Sequence, residues 1–148
     1  MKALSLMQSN LARGLRMTKD TSKAAVTEWD IVVREVKHHR ERFIARLQRH
    51  LVVDGECVIW TGACRGGRTG PGYPTMNFNA GKNKRRCVDV HRIFLMFMLC
   101  RPIAPKMEAG HYFCMNTRCV VHVQEETRLE NLKELNGRQK TKDAYPFW

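Results

Sequence analysis

The run GHYFCMNTRCVVH at 110–122 restricts the fold more than any other stretch, because it sets Cys114, Cys119 and His122 in one short segment with His111 just ahead. Such a cluster is a packed core, a disulfide loop or a metal site. A disulfide scaffold does not suit this chain. Its 148 residues are enough for a hydrophobic core, histidines are interleaved with the six cysteines, and MKALSLM carries too short an apolar run for a secretory signal. Reduced thiols and a metal are therefore expected, in a cytoplasmic protein. Thiolate sulfur and imidazole nitrogen are the donors zinc favours, and structural zinc is tetrahedral, so Cys114, Cys119 and His122 need a fourth ligand. Cys57, Cys64, Cys87, Cys100 and His111 are all candidates.

The charge balance bears on the partner. Against 14 Asp and Glu stand 26 Lys and Arg, a formal charge of +12, so an anion is expected, with nucleic acid first and plain solubility or an anionic membrane surface as alternatives. The longest apolar run, IFLMFMLC at 93–100, is far below the ~20 residues needed to cross a bilayer and suits a buried helix.

Along the chain, residues 1–23 are polar and aperiodic and read as an arm. From Thr27, the residues Trp29, Val33, Val36, Arg40, Phe43 and Leu47 recur at helical spacing, a stripe interrupted by one arginine on a helix of about six turns with a basic outer face. His38, His39 and His50 on that helix are expected toward solvent or phosphate. In VVDGECVIWTGAC an Asp-Gly turn precedes a β-rich run. RGGRTGPG is a glycine-rich loop without the lysine and helix of a phosphate-binding loop. YPTMNFNAGKNKRRCVDV reads as two strands around NAGKN, crowding Lys82, Lys84, Arg85 and Arg86 at the tip and return strand. A two-stranded ribbon can enter a DNA groove, with these charges on phosphates; edge protection by lysine is the plainer reading. VHRIFLMFMLCRPIAP reads as an apolar helix stopped by Pro102, with Phe94, Met96, Phe97 and Met98 in the core. Downstream, TRLE places Thr127 and Glu130 as a capping box, which sets Asn131 in the first turn of a helix.

GHYFCMNTRCVVHVQEETRLEN, with CVIWTG and VHR upstream, resembles the HNH endonucleases of phages and mobile elements, in particular the His-Cys box branch of homing endonucleases. The similarity spans roughly residues 55–135 and is most specific at CMNTRC. It implies an α+β fold with a zinc-supported ββα-metal (His-Me finger) core behind the long basic helix. The chain then divides into an N-terminal arm and helix (1–50), a nuclease domain (51–135) and a tail (136–148). It further implies His111 as general base, Asn131 as the ligand of one Mg2+, and structural zinc on Cys57, Cys114, Cys119 and His122, with Cys64 as substitute for Cys57. His91 of VHR matches a family histidine, either accessory to catalysis or fixing the hairpin, and Arg92 is a DNA contact. Cys64, Cys87 and Cys100 remain as reduced structural thiols.

The chemistry suits those residue types. Imidazole, with an ordinary pKa of ~6.5, takes a proton near neutrality, while a metal offsets charge on the phosphoryl and leaving oxygens. The chain departs from the family at three places. Gly110 stands where an acidic residue is common, two residues rather than one separate His111 from Cys114, and two rather than four separate Cys119 from His122. These departures leave a rival reading, a zinc-stapled module that binds nucleic acid or protein without cutting. A second rival is an interaction protein using its N-terminal helix. The expected partner is double-stranded DNA, and a palindromic target implies a homodimer.

Overall fold

The computed structural model describes residue 9 and residues 26–66, 72–81, 84–112, 114 and 116–133. The N-terminal arm before residue 26, the tip of the glycine-rich loop, Lys82 and the tail from 136, DAYPFW included, lie outside the described residues. The rest is mixed α and β: α1 (Glu28–His50), β1 (Leu51–Asp54), β2 (Cys57–Trp60), β3 (Cys64–Arg65), β4 (Tyr73–Asn79), β5 (Arg85–Asp89), α2 (Val90–Leu99), β6 (Met107–His111) and β7 (Val123–Thr127). Residues 128–133 are helical. Among the described residues no helix is long and apolar enough to cross a membrane.

α1 begins at a reciprocal cap. Thr27 Oγ1 accepts the Asp30 N–H and Asp30 Oδ2 accepts the Thr27 N–H, each at 3.2 Å, satisfying two donors that a helix start otherwise leaves open. Trp29, Val33, Val36, Phe43 and Leu47 of the expected stripe are buried, whereas Arg40 is exposed. The difference has a local cause. Backbone angles at His39 (φ −141°, ψ 39°) break the helix into two segments, and Arg40 leaves the stripe at that break instead of entering the core unpaired.

Three small antiparallel sheets follow. β1 and β2 pair from Leu51 with Trp60 to Asp54 with Cys57, across a two-residue turn in which Gly55 takes φ +57°. β3, β4 and β5 form a three-stranded sheet whose hairpin turn, 80–84, falls where NAGKN predicts it. Period-two alternation divides its faces: Met76, Phe78 and Val88 are buried, while Tyr73, Asn77, Asn79, Arg85 and Cys87 are exposed. β6 and β7 make the third sheet.

α2 is buried on nearly every side, as its unbroken apolar run demands. Asp89 precedes it without capping it, because Arg65 holds both carboxylate oxygens at 3.0 and 3.1 Å. The helix ends before Pro102, at a left-handed Cys100 whose N–H returns to the Met96 carbonyl. One core joins α1, β2, β4, β5, α2 and Val120. The long basic helix is thus built into the same core as the sheets, and Arg92 of α2 ties back to Glu28 of α1 at 2.8 Å.

Candidate metal centre and catalytic histidine

Cys57 opens β2, and the 114–122 segment is laid beside that strand. The Trp60 N–H donates to Arg118 O and the Val120 N–H to Val58 O, both at 2.9 Å, while Ile59 and Cys119 form a β-bridge. Val120, fully buried, pins the segment into the core. Asn116 turns CMNTRC back on itself: its side-chain oxygen accepts the Arg118 N–H and its carbonyl accepts the Cys119 N–H, each at 2.9 Å.

These constraints bring Cys57, Cys114, Cys119 and His122 together, with all four donor atoms within 4.8 Å of one another. His122 Nδ1 lies 3.4 Å from Cys119 Sγ and 3.5 Å from Cys57 Sγ. Zinc–sulfur and zinc–nitrogen bonds at a tetrahedral angle require an edge of about 3.5 Å, so the cluster fits a metal such as zinc. Cys57 fills the fourth position. Cys64 is instead turned to the Gly62 carbonyl, and Cys87 and Cys100 are exposed free thiols.

The protonation balance of the cluster reflects its crowding. Burial, with the Cys119 and Cys114 thiols beside it, pushes Cys57 up to about 12. Burial also raises Cys114. Burial alone would raise Cys119 too, but hydrogen bonds from the Val121 and His122 amides and from the Cys57 and Cys114 thiols together hold that thiol below its ordinary value. Three thiols in one pocket do not ionise together without a cation, and a divalent ion supplies that charge.

His111 ends β6 beside this cluster. Its Nε2 lies 2.9 Å from the Cys119 carbonyl oxygen, which can only accept, so Nε2 carries the proton and Nδ1 is the basic nitrogen of the neutral ring. The ring is 7% exposed. His91, the histidine of VHR, stands with its ring 5.5 Å from that of His111 and 5.7 Å from that of Tyr73. Burial, then His111, Arg92 and Arg65, drive His91 down to about 3, and its buried Nδ1 makes no hydrogen bond among the described residues.

The capping box expected ahead of Asn131 forms: Glu130 accepts the Thr127 N–H at 2.8 Å and Thr127 Oγ1 accepts the Glu130 N–H at 3.3 Å. Asn131 Nδ2 donates to Glu108 Oε2 at 2.9 Å, which fixes the amide with Oδ1 as its acceptor atom. Glu108 was not singled out by sequence, since nothing in MEAGH announces a partner 23 residues away. Gly110 also gains a reason. A Cβ there would overlap the carboxylate of Glu126 on β7, so only glycine lets that side chain lie against β6. A glycine directly before the histidine was the available signal of that close approach.

Of the expected DNA contacts, Lys84, Arg85 and Arg86 are exposed around the hairpin turn, with Arg86 donating to the Val26 carbonyl at 2.8 Å. Arg92 is engaged by Glu28. No protein-family model matches the chain, and neither does any curated protein or solved structure.

Proposed function

We propose that the chain is a metal-dependent DNA endonuclease of the HNH type, in which β6, β7 and the helix from 128 form a ββα-metal core beside a structural zinc. The observation that carries this reading is the hydrogen bond from His111 Nε2 to the carbonyl of Cys119. It ties a candidate base to a candidate zinc ligand, so the cluster that orders the 114–122 segment also fixes the tautomer and orientation of the imidazole.

In this reading His111 Nδ1 takes a proton from water as its oxygen bonds to phosphorus. The bond from phosphorus to the 3′ oxygen breaks with its electron pair going to that oxygen, which takes a proton from solvent water, leaving a 5′ phosphate and a 3′ hydroxyl. Asn131 Oδ1 would hold one Mg2+, which supplies charge compensation at the phosphoryl and leaving oxygens. Glu108 acts as a positioning residue by holding the Asn131 amide. One amide oxygen is a weak hard ligand, so tight Mg2+ binding requires the DNA phosphate as well. Cys57, Cys114, Cys119 and His122 would hold zinc, which would supply structural cross-linking rather than catalysis. The exposed residues Lys84 and Arg86 at the hairpin of the three-stranded sheet offer donors suited to the phosphates of double-stranded DNA. Free thiols at all six cysteines agree with an intracellular setting.

The test is cleavage of supercoiled plasmid with Mg2+ by the native protein, His111→Ala and Asn131→Ala at matched zinc content. Cutting by the native protein is expected, with a loss of on the order of 100-fold or more in His111→Ala and a comparable loss in Asn131→Ala. Full cutting by a folded His111→Ala protein removes the catalytic assignment.

The deep burial of His111 supports a second reading, a zinc-stapled module that binds without cutting. There the native protein binds DNA and leaves it intact, and charge reversal at Lys84, Arg85 and Arg86 abolishes binding.

A further inference from the structure

The break in α1 faces the free edge of the sheet. Among the described residues β3 covers β4 only at Tyr73 and Pro74, and the Ala63 carbonyl accepts the Thr75 N–H at 2.9 Å, so from Met76 onward that edge of β4 has no strand beside it, and α1 supplies the opposite wall. Between them lies a depression of about 520 Å³, and a second of about 310 Å³ adjoins it, with Glu35, Arg42 and Asn79 in the lining of both. Among the described residues, Arg34, Arg42, Arg46 and Arg85 line this groove with Asn77 and Asn79, and Glu35 is the sole carboxylate.

The charges within it are unequal. Glu35 is buried and already paired with Arg42 at 2.8 Å, so one acid balances one of four guanidinium groups. Arg46 is held in place before any ligand arrives: it donates to the Asn77 carbonyl at 3.1 Å, and its guanidinium carbon lies 5.8 Å from the centre of the Phe78 ring. A guanidinium fixed on one side by a carbonyl and on its face by an aromatic ring retains N–H donors for a tetrahedral oxyanion, and little side-chain entropy remains to be lost on binding. The side-chain amides of Asn77 and Asn79 add neutral donors. None of the lining residues belongs to the Cys57 cluster or to the β6–β7 hairpin.

We propose that this groove binds the phosphodiester backbone of double-stranded DNA, as an anchoring site separate from the bond that is cut. It rests on the nuclease reading for the identity of its ligand, since arginine forks alone accept any phosphate. An extended polyanion suits the site better than a single small anion, because the guanidinium groups are spread over two adjoining depressions, with Arg34 in one and Arg46 and Arg85 in the other.

The experiment is anisotropy of a labelled 30-base-pair duplex without Mg2+, titrated at several salt concentrations. It compares native protein with Arg34→Gln/Arg46→Gln and with Asn79→Asp. The second variant keeps the oxygen that accepts the Gly81 N–H at 3.0 Å and adds one negative charge to the groove, so it tests the site without disturbing the turn. Thermal melting and zinc content establish that each variant is folded. The expected result is a roughly tenfold weaker affinity in each variant near 0.1 M salt, with the slope of log affinity against log salt smaller by about one per arginine removed. Native affinity and slope in both variants would overturn the groove while leaving the nuclease reading intact. A native protein that ignores the duplex at low salt overturns both. Arginine-dependent binding of millimolar inorganic phosphate, with duplex affinity unchanged in the variants, also overturns it, because the groove then serves a small anion.

Discussion

His91 shows how a single side chain can be held in one protonation state by its neighbours. The ring is buried between Tyr73 and His111, and desolvation followed by the nearby charges lowers its pKa to about 3. In the unfolded chain an imidazole titrates near ~6.5, so the unfolded state takes up a proton over a range in which the folded state does not. The contribution of neutral His91 to stability is therefore complete above pH ~6.5 and falls as the pH drops toward 3, at a limiting slope of about 1.4 kcal/mol per pH unit. Urea unfolding between pH 7 and pH 4 should show a shallower pH dependence for His91→Gln than for the native protein. Acid also protonates the candidate metal cluster, but it does so in both proteins, so the difference isolates His91; equal slopes would contradict its burial as a neutral ring. At this scale the sequence made some residues visible and hid others. Cys114, Cys119 and His122 are legible from donor type and spacing, and Cys57 from the resemblance. The partners that orient His111 and Asn131, the Cys119 carbonyl and Glu108, are not legible. One is a backbone atom and the other lies across a strand pair, and neither leaves a compositional trace.

Among the elements, α1 separates local from long-range stabilisation. Its cap is complete, and losing the Thr27 hydroxyl should cost only about 1 kcal/mol. Phe43, beyond the break at His39, is fully buried with its ring 6.3 Å from Phe78 and 5.8 Å from Phe97, so truncation empties a site walled by β4 and α2. Phe43→Ala should cost about 3–5 kcal/mol. Denaturant midpoints for Thr27→Ala and Phe43→Ala measure the ratio, and a Phe43 effect no larger than the cap effect would show that α1 packs only loosely on the sheet. The same contrast explains what could be read. The first half of α1, the β1–β2 turn and the β4–β5 hairpin carry strong local signals: a hydrophobic period, Asp-Gly and Asn-Ala-Gly. β6 has none. MEAGH is made of residues that strands ordinarily avoid, and pairing with β7 rather than propensity holds it extended. The break at His39 was hidden in a different way, because Arg40 read as a flaw in a straight stripe when it is the point where the stripe is reset.

For the whole molecule, the deciding comparison is between the proposed zinc and everything else. A domain of this size has a net stability of about 5–15 kcal/mol. A structural zinc on three thiolates and an imidazole contributes on the order of 10 kcal/mol in apparent free energy. Removal therefore takes away most of the margin, unless the metal merely decorates a loop that the core can spare. The structure argues against a spare loop. Val120, between Cys119 and Val121, belongs to the same hydrophobic cluster as Trp29, Val58, Phe78 and Phe94, so release of the 114–122 segment opens the core that α1, α2 and the sheets share. Sequence alone did not show this unity, because it depends on contacts between residues some ninety positions apart and leads to a division at residue 50 that the shared core crosses. Strong chelation should lower the melting temperature in one cooperative transition that also removes the near-ultraviolet signals of Trp29 and Trp60, with Cys57→Ser giving the same outcome without chelator. Two separate transitions, with the tryptophan signals retained after the first, would mean that the cluster governs the 114–122 segment alone. The orientation of His111 would then be lost without loss of the fold, and a chelated protein would still bind DNA through the α1 groove.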